Sequence, residues 1–387
     1  MINKIIKSAV VGMGIIGKRH SNYLMANKNT ELVAVCDIKK EKIQDFSKKY
    51  KIKTYEDYKQ MFDNECLDLV VVATQDPYHK EPVIEACKSN VPYIICEKPL
   101  ATNVLDAKEM VKAAIDNDAK VYVNFPNRFF PLDNAIRTVV RKGFIGEPCN
   151  GEFRMDNSIA VPLFLWGKDS KNFASISNPA HFLLSHAIDL LRFYFDPQEI
   201  CKVYAIGQSK IIGSKMDYID AFLKFNNGLT IRLKSEWTKH MKAVTESFIQ
   251  LTGSKGGFVY NRRPGYGCKQ GLRFDFNDKE ETVKQIQKLL YKDGIKSNIH
   301  IESVFFPKIY PVEMPSDGLY RNALELYTDE GNDFSVLNVL DCHVDNILNN
   351  RKDSYRFVDV LGGYAQVKVV EAIFESIATD KEIDISY

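Results

Sequence analysis

Residues 9–17 read Ala9-Val10-Val11-Gly12-Met13-Gly14-Ile15-Ile16-Gly17. An apolar run, glycines spaced Gly-x-Gly-x-x-Gly and a helix-forming continuation, "KRHSNYLMANK", give the order strand, loop, helix. A second apolar run, "TELVAVCD", then ends on Asp37, about 20 residues past Gly17, the interval at which a dinucleotide fold places its ribose-binding acid. In such a fold the first glycine makes the tight turn, the second lets the backbone approach a pyrophosphate, and the third lets helix and strand pack closely. Gly12, Gly14, Ile15, Ile16 and Gly17 are therefore the expected phosphate-binding loop. An isolated motif of this kind can also be a plain glycine-rich turn. The ordered context of strand, helix, strand and acid favours the nucleotide reading.

The alternation continues outward from this stretch. "KIQDFSKKY" and "DYKQMF" read as helices, "CLDLVVVAT" as a buried strand, "PVIEACKSN" as a helix, "VPYIICEKP" as a strand, "LDAKEMVKAAIDND" as a helix and "KVYVNF" as a strand. Apolar strands separated by helices specify a parallel, doubly wound sheet, whose ligands bind outside the carboxyl ends of its strands. Asp37, Thr74, Gln75, Glu97, Lys98 and Asn124 stand at or just beyond strand ends and are expected to converge there.

The chain has 387 residues, long enough for two domains. With 52 Lys+Arg against 50 Asp+Glu, scattered throughout, nucleic acid is not an indicated partner. The eight cysteines show no zinc-ligand spacing, and several lie in apolar runs, so no metal site and a cytoplasmic location with free thiols are expected. No apolar run is long enough to span a membrane, and the basic, apolar start lacks a cleavage site.

The stretch "VVATQDPYHKEPVIEACKSNVPYIICEKPLA" resembles the Gfo/Idh/MocA oxidoreductase family through Ala73-Thr74, His79 and the triplet Glu97-Lys98-Pro99. "VNFPNRFFP" and the closing "YAQVKVVEAIFESIATDKEIDI" are similar to the same family. The resemblance implies that Thr74, Gln75, His79, Glu97, Lys98 and Asn124 line a nicotinamide cofactor, and that Lys98 lies beside both the nicotinamide and a substrate hydroxyl. Chemistry supports that role for Lys98, because a lysine in a partly dry cleft orients an alcohol oxygen and desolvation lowers its pKa towards the task. Asp37 favours NAD over NADP, since a carboxylate accepts from both ribose hydroxyls and repels a 2′-phosphate; Lys39 and Lys40 soften that repulsion.

Residues 1–125 are thus expected to form an N-terminal Rossmann domain and residues 126–387 an α+β domain with a largely antiparallel, open-faced sheet, closed by a helix at about 357–379. "NGEFRMDNS", "CKVYAIGQS", "YIDAFLKFNNGLTIRLKSEW" and "ESFIQLTGSKGGFVY" read as strands, with an Asn-Gly hairpin turn inside "FNNGLTI". The family uses the free face for substrate and subunit contacts, which implies a homodimer or homotetramer. The charged segment 278–320 reads as an extension.

Residues 181–195, "HFLLSHAIDLLRFYF", read as one helix with His181, Ser185, Asp189 and Arg192 on a stripe and His186 at its margin. The family's helix carries Asp-x-Gly-x-His-x-x-Asp. Here His186 and Asp189 remain, but Phe182 and Leu184 replace the aspartate and the glycine. His186 is the expected base and Asp189 its structural partner; His181 either substitutes for the missing aspartate or faces water at the helix start. Arg128 is a substrate contact or a surface ion-pair residue, and Trp166 an apolar wall for a sugar ring or a core residue. The resemblance implies an NAD-dependent oxidoreductase acting on a secondary alcohol of a sugar, cyclitol or nucleotide sugar. A glycosidase that uses NAD without net redox change and a non-catalytic dinucleotide-binding regulator are the alternatives.

Overall fold

The computed structural model describes residues 5–165, 176–212, 216–263, 270–292, 295–303, 320–327, 336–349 and 355–387. Trp166 lies outside the described residues. The chain divides into two compact units, one of Met1–Arg128 with Phe334–Glu371 and Tyr387, the other of Phe129–Asp333 with Ala372–Ser386. The boundary expected at 125/126 leaves out this return of the chain to the first unit.

The first unit begins β1 (Ile6–Val11), α1 (Ile15–Ala26), β2 (Thr30–Cys36), α2 (Lys40–Tyr50), β3 (Lys53–Tyr55), α3 (Tyr58–Asn64) and β4 (Leu69–Val72). It continues with α4 (Lys80–Lys88), β5 (Tyr93–Glu97), α5 (Val104–Asp116) and β6 (Lys120–Asn124). The six strands pair in parallel in the order β3-β2-β1-β4-β5-β6, the doubly wound order with its switch point between β1 and β4. Successive strand residues serve opposite faces. Ala9, Val11, Val70 and Val72 pack towards α3, α4 and α5, whereas Ile6, Val10, Leu69 and Val71 pack towards α1 and α2. Sequence reasoning passed over the short β3, whose three residues are too few to show a period.

In the second unit α6 (Pro131–Arg141) is followed by β7 (Pro148–Asn157), α7 (Ser185–Phe195), β8 (Ile200–Gln208), β9 (Tyr218–Phe225), β10 (Thr230–Glu236) and β11 (Thr245–Gly253). Then come β12 (Gly256–Arg263), β13 (Gly271–Phe276), α8 (Glu280–Tyr291), β14 (Lys296–Ser303) and β15 (Tyr320–Tyr327). These strands form an antiparallel sheet apart from the parallel pair β7 and β10. The hairpin between β9 and β10 turns on Asn227-Gly228, where Gly228 has φ +92°. One face of the sheet is apolar, with Phe153, Met155, Ile231 and Leu233 buried, while the other presents Glu152, Arg154 and Arg232. Asp133 of α6 accepts from Tyr194 of α7 and pairs with Arg262 of β12 at 3.1 Å, a buried tie between both helices and the sheet. Within the extension, the described residues form α8 and the edge strand β14, which joins the sheet through β15.

Helix α9 (Val336–Asn349) belongs to the first unit, where Leu340 and Val344 join the core on the α1 side of the sheet. Its His343 lies against Tyr93, Tyr122 and Phe357. Strand β16 (Val358–Asp359) adds antiparallel to β6, and the closing helix, α10, runs over Val360–Thr379 before β17 (Ile383–Asp384) pairs with β8. No helix among the described residues is long and apolar enough to cross a membrane.

Candidate functional site

The loop after β1 is built around three glycines with three different jobs. Gly12 has φ +93°, and a β-carbon there would stand 2.6 Å from the Ala73 carbonyl oxygen, so the ends of β1 and β4 meet at the switch point through a residue without a side chain. Gly17 is held equally tightly, with the Gly12 carbonyl oxygen 1.7 Å from where its β-carbon would be. Gly14 differs, because nothing lies within 4 Å of its missing β-carbon. It caps α1 without any side-chain hydrogen bond, and the first intrahelical bond is Lys18 N–H to Gly14 O. The amides of Ile15, Ile16 and Gly17 precede that bond, so a ring of backbone donors at a positive helix end remains for an anion.

Asp37, at the end of β2, is buried. Its Oδ2 accepts from the Met13 amide at 2.7 Å and its Oδ1 from the Lys39 amide at 2.9 Å, with the Lys42 ammonium 3.5 Å away. The acid therefore shapes the glycine loop as well as offering acceptors, since each carboxylate oxygen has a second lone pair for a ribose hydroxyl.

At the ends of β4, β5 and β6 the other expected residues come together in the same unit. Thr74 donates its hydroxyl to Tyr78 O at 2.8 Å, Gln75 is exposed, and the His79 ring lies 2.7 Å from Pro99 O and 3.2 Å from Thr74 O. His79 thus ties the loop after β4 to the loop after β5. Glu97 and Asn124 are register partners, and the Asn124 amide donates to Glu97 Oε1 at 2.7 Å. The same oxygen lies 2.7 Å from Nε2 of His20, a fully buried residue of α1. Burial works to raise the Glu97 carboxyl, but the His20 bond and charge, the Asn124 bond and the Lys98 charge outweigh it and hold it below the usual carboxylate range. Lys98 is half-buried, and desolvation pulls its ammonium below the usual lysine range against the opposing charges of Asp76 and Glu97. Arg128, rather than lying at the surface, is buried and donates to Tyr355 O at 3.3 Å. His20 escaped the sequence reading, although its place three residues past Gly17 puts it on the helix face turned to the sheet.

These residues fit a dinucleotide. The open space at Gly14, the uncapped start of α1 and the buried Asn124 Oδ1, which has no hydrogen-bond partner, are what a ligand with anionic and amide groups would satisfy. Among the described residues no cluster of His, Cys, Asp or Glu is placed to hold a metal ion.

In the second unit residues 181–195 are not the uniform helix expected. Ala180–Leu184 form a π-helical turn, followed by α7, so the 100° spacing does not hold across the start and His181 leaves the stripe of Ser185 and Asp189. His181 does not face water: it is 9% exposed, its Nδ1 lies 3.1 Å from the Asn178 amide, and its ring packs 5.3 Å from Phe374. Phe182 packs edge-on to Trp237, Leu184 is fully buried, and both replacements are thereby absorbed into apolar packing. His186 is half-buried and Asp189 is buried, whereas Arg192 is bidentate on Glu199 at 2.8 and 2.9 Å.

Residues 6–125 match the profile described as oxidoreductase family, NAD-binding Rossmann fold, and residues 134–259 match the GFO/IDH/MocA C-terminal domain. The chain is 26% identical to inositol 2-dehydrogenase of Salmonella typhimurium over 58% of its own length and 66% of that relative, just under two thirds. It is 24% identical to glucose-6-phosphate 3-dehydrogenase of Bacillus subtilis, over 54% of this chain and 60% of the relative. The solved WlbA dehydrogenase from Bordetella pertussis, in complex with NADH and UDP-GlcNAcA, shares the fold with TM-score 0.75 at 17% identity, covering 100% of this chain and 99% of that one. With two family profiles covering most of the chain, a glycine cradle at the β1–β4 switch point and Lys98 at the end of β5, the protein belongs to the GFO/IDH/MocA family of oxidoreductases.

Proposed function

We propose that the protein is an NAD-dependent dehydrogenase acting on a secondary alcohol of a sugar, cyclitol or nucleotide sugar. The observation that carries this reading is Lys98, half-buried at the end of β5 with burial lowering its pKa, in the unit that also holds the glycine cradle. Bound nicotinamide supplies a hydride acceptor. Gly14 and the first amides of α1 hold the pyrophosphate, Asp37 the ribose hydroxyls, and Asn124 offers a buried acceptor. Lys98 donates to the alcohol oxygen and orients it. His186 takes the hydroxyl proton, and Asp189 holds its ring, as the resemblance implies. The preference for NAD rests on Asp37, and relatives with sugar and inositol dehydrogenase names support the substrate class. Assembly into a homodimer or homotetramer through the open sheet face is part of the same reading: Ile206, Phe222 and Val259 are exposed on β8, β9 and β12.

The test is near-ultraviolet absorbance of reduced nicotinamide with NAD against a panel of hexoses, inositols, uronates and nucleotide sugars. Substrate-dependent net reduction is expected. Glycoside cleavage without net reduction favours the glycosidase reading, to which Phe182 in the aspartate's place points; binding without turnover favours a regulator.

A further inference from the structure

We propose that Asn178 is a positioning residue for His181: it fixes the ring as the neutral tautomer with its hydrogen on Nε2, so that His181 is a hydrogen-bond donor and not a second proton acceptor. The consequence for proton transfer rests on the function proposed above. Asn178 stands three residues before His181, just ahead of the π turn. Its Oδ1 accepts from the Ala180 amide at 3.0 Å and from the His181 amide at 3.1 Å, while its own carbonyl accepts from the Phe182 amide at 3.0 Å. A half turn of a side-chain amide exchanges its oxygen and nitrogen, and here two backbone N–H groups decide between them, because they can only donate. The atom that receives both is the oxygen. The amide nitrogen is then the atom 3.1 Å from Nδ1 of His181. It carries hydrogens and accepts none, so Nδ1 supplies the lone pair and the hydrogen of the neutral ring sits on Nε2.

Burial holds this state in place. His181 is 9% exposed and its ring packs against Phe374, so little water is at hand to replace the Asn178 bond if the ring turns over. A proton added at Nδ1 would set two donors face to face. Nε2 already bears its hydrogen. The aspartate of the family's helix takes hydrogens on its oxygens, whereas His181 can only give one. It can therefore stand in for that aspartate only as a donor to a substrate oxygen, and acceptance of the hydroxyl proton falls to His186.

The ring state is read by nitrogen NMR on the full chain carrying isotopically labelled histidine, at about pH 8, where a histidine of ordinary pKa near 6.5 is neutral. His181→Phe identifies the His181 signals by their loss. In the wild type the Nε2–H form is expected to exceed the Nδ1–H form about tenfold or more, since only the first keeps the Asn178 bond. Asn178→Asp retains an oxygen for the Ala180 and His181 amides and caps as well as Asn, but its second oxygen accepts where the amide nitrogen donated. The hydrogen is then expected on Nδ1. A residue that only caps the turn would leave the ring signals unmoved by this change. Hydrogen on Nδ1 in the wild type, or the same His181 ring signals in the wild type and in folded Asn178→Asp, overturns the assignment. Should Asn178→Asp fail to fold, the wild-type ring state decides by itself. The measurement needs neither cofactor nor turnover, so a wild type inactive in the sugar panel would sink the functional reading while leaving this result readable.

Discussion

Gly17 faces Gly12 so closely that a β-carbon on it would stand 1.7 Å from the Gly12 carbonyl oxygen, whereas the same atom on Gly14 would meet nothing within 4 Å. The two glycines therefore separate folding from binding. Gly17→Ala forces backbone apart and should cost about 1–3 kcal/mol or more. Gly14→Ala should leave the melting temperature almost unchanged but weaken NAD at least about tenfold, since its methyl group enters the space a pyrophosphate needs. Thermal melts and NAD titrations of both variants check the contrast. A Gly14→Ala protein that binds NAD normally would remove the cradle assignment.

Asp37 bonds to its own loop and, in the proposed function, also holds the ribose, so its replacement has two expected consequences. Asp37→Ala loses the acceptors of the Met13 and Lys39 amides and the charge proposed to exclude a 2′-phosphate. NAD binding should weaken by about tenfold or more, and the preference over NADP should narrow. Asp37→Asn keeps one acceptor oxygen and should keep more of the loop while still losing the charge. Parallel NAD and NADP titrations decide, and equal affinities in the wild type would contradict the cofactor assignment.

His343 gives a pH dependence of stability. Burial, reinforced by the His20 charge, lowers it to about 3. The unfolded chain, with an ordinary histidine pKa near 6.5, binds the proton across the interval that the folded chain refuses it. The His343 contribution is therefore complete above about pH 6.5 and declines as the pH falls towards 3. Between pH 7 and 5 it should cost about 2 kcal/mol, at about 1.4 kcal/mol per pH unit below 6.5. Urea unfolding of wild type and His343→Phe at both pH values tests this: the variant should lose less stability on acidification, and equal losses would reject it.

The parallel half of the fold was legible because each buried strand is a continuous apolar run and each loop ends in a residue with a chemical reason to be there. Gly12, Asp37 and Lys98 could be placed by counting from strand ends. His20 could not, because its meaning arises only when α1 packs on the sheet and brings it to Glu97 at the end of β5, across 77 positions of chain. The π turn at Ala180–Leu184 was equally hidden: a pattern read at 3.6 residues per turn has no sign of one inserted residue, and Phe182 and Leu184 look like ordinary helix residues until they are seen buried. Helix α9 was missed for the same reason as His20. Its apolar stripe identifies a buried face but not the sheet, 200 and more residues earlier, that the face covers.

The roles proposed for Lys98 and His186 yield the most discriminating variants. Lys98→Ala and His186→Ala should each lower turnover by roughly 10²- to 10⁴-fold, the usual effect of losing a positioned acid or base. NAD should remain bound in both, because neither side chain holds the pyrophosphate. If the two serve one proton transfer, the double variant should be little worse than either single one, since the first loss already disables the unit. His181→Phe then separates packing from chemistry, because a phenyl ring can keep the contact with Phe374 while losing the bond to Asn178. Near-normal turnover in that variant makes His181 a structural residue; a loss matching His186→Ala makes it the functional replacement for the aspartate absent at Phe182. Full activity in His186→Ala with NAD bound would remove His186 as the base and leave Lys98 as the surviving candidate for proton transfer.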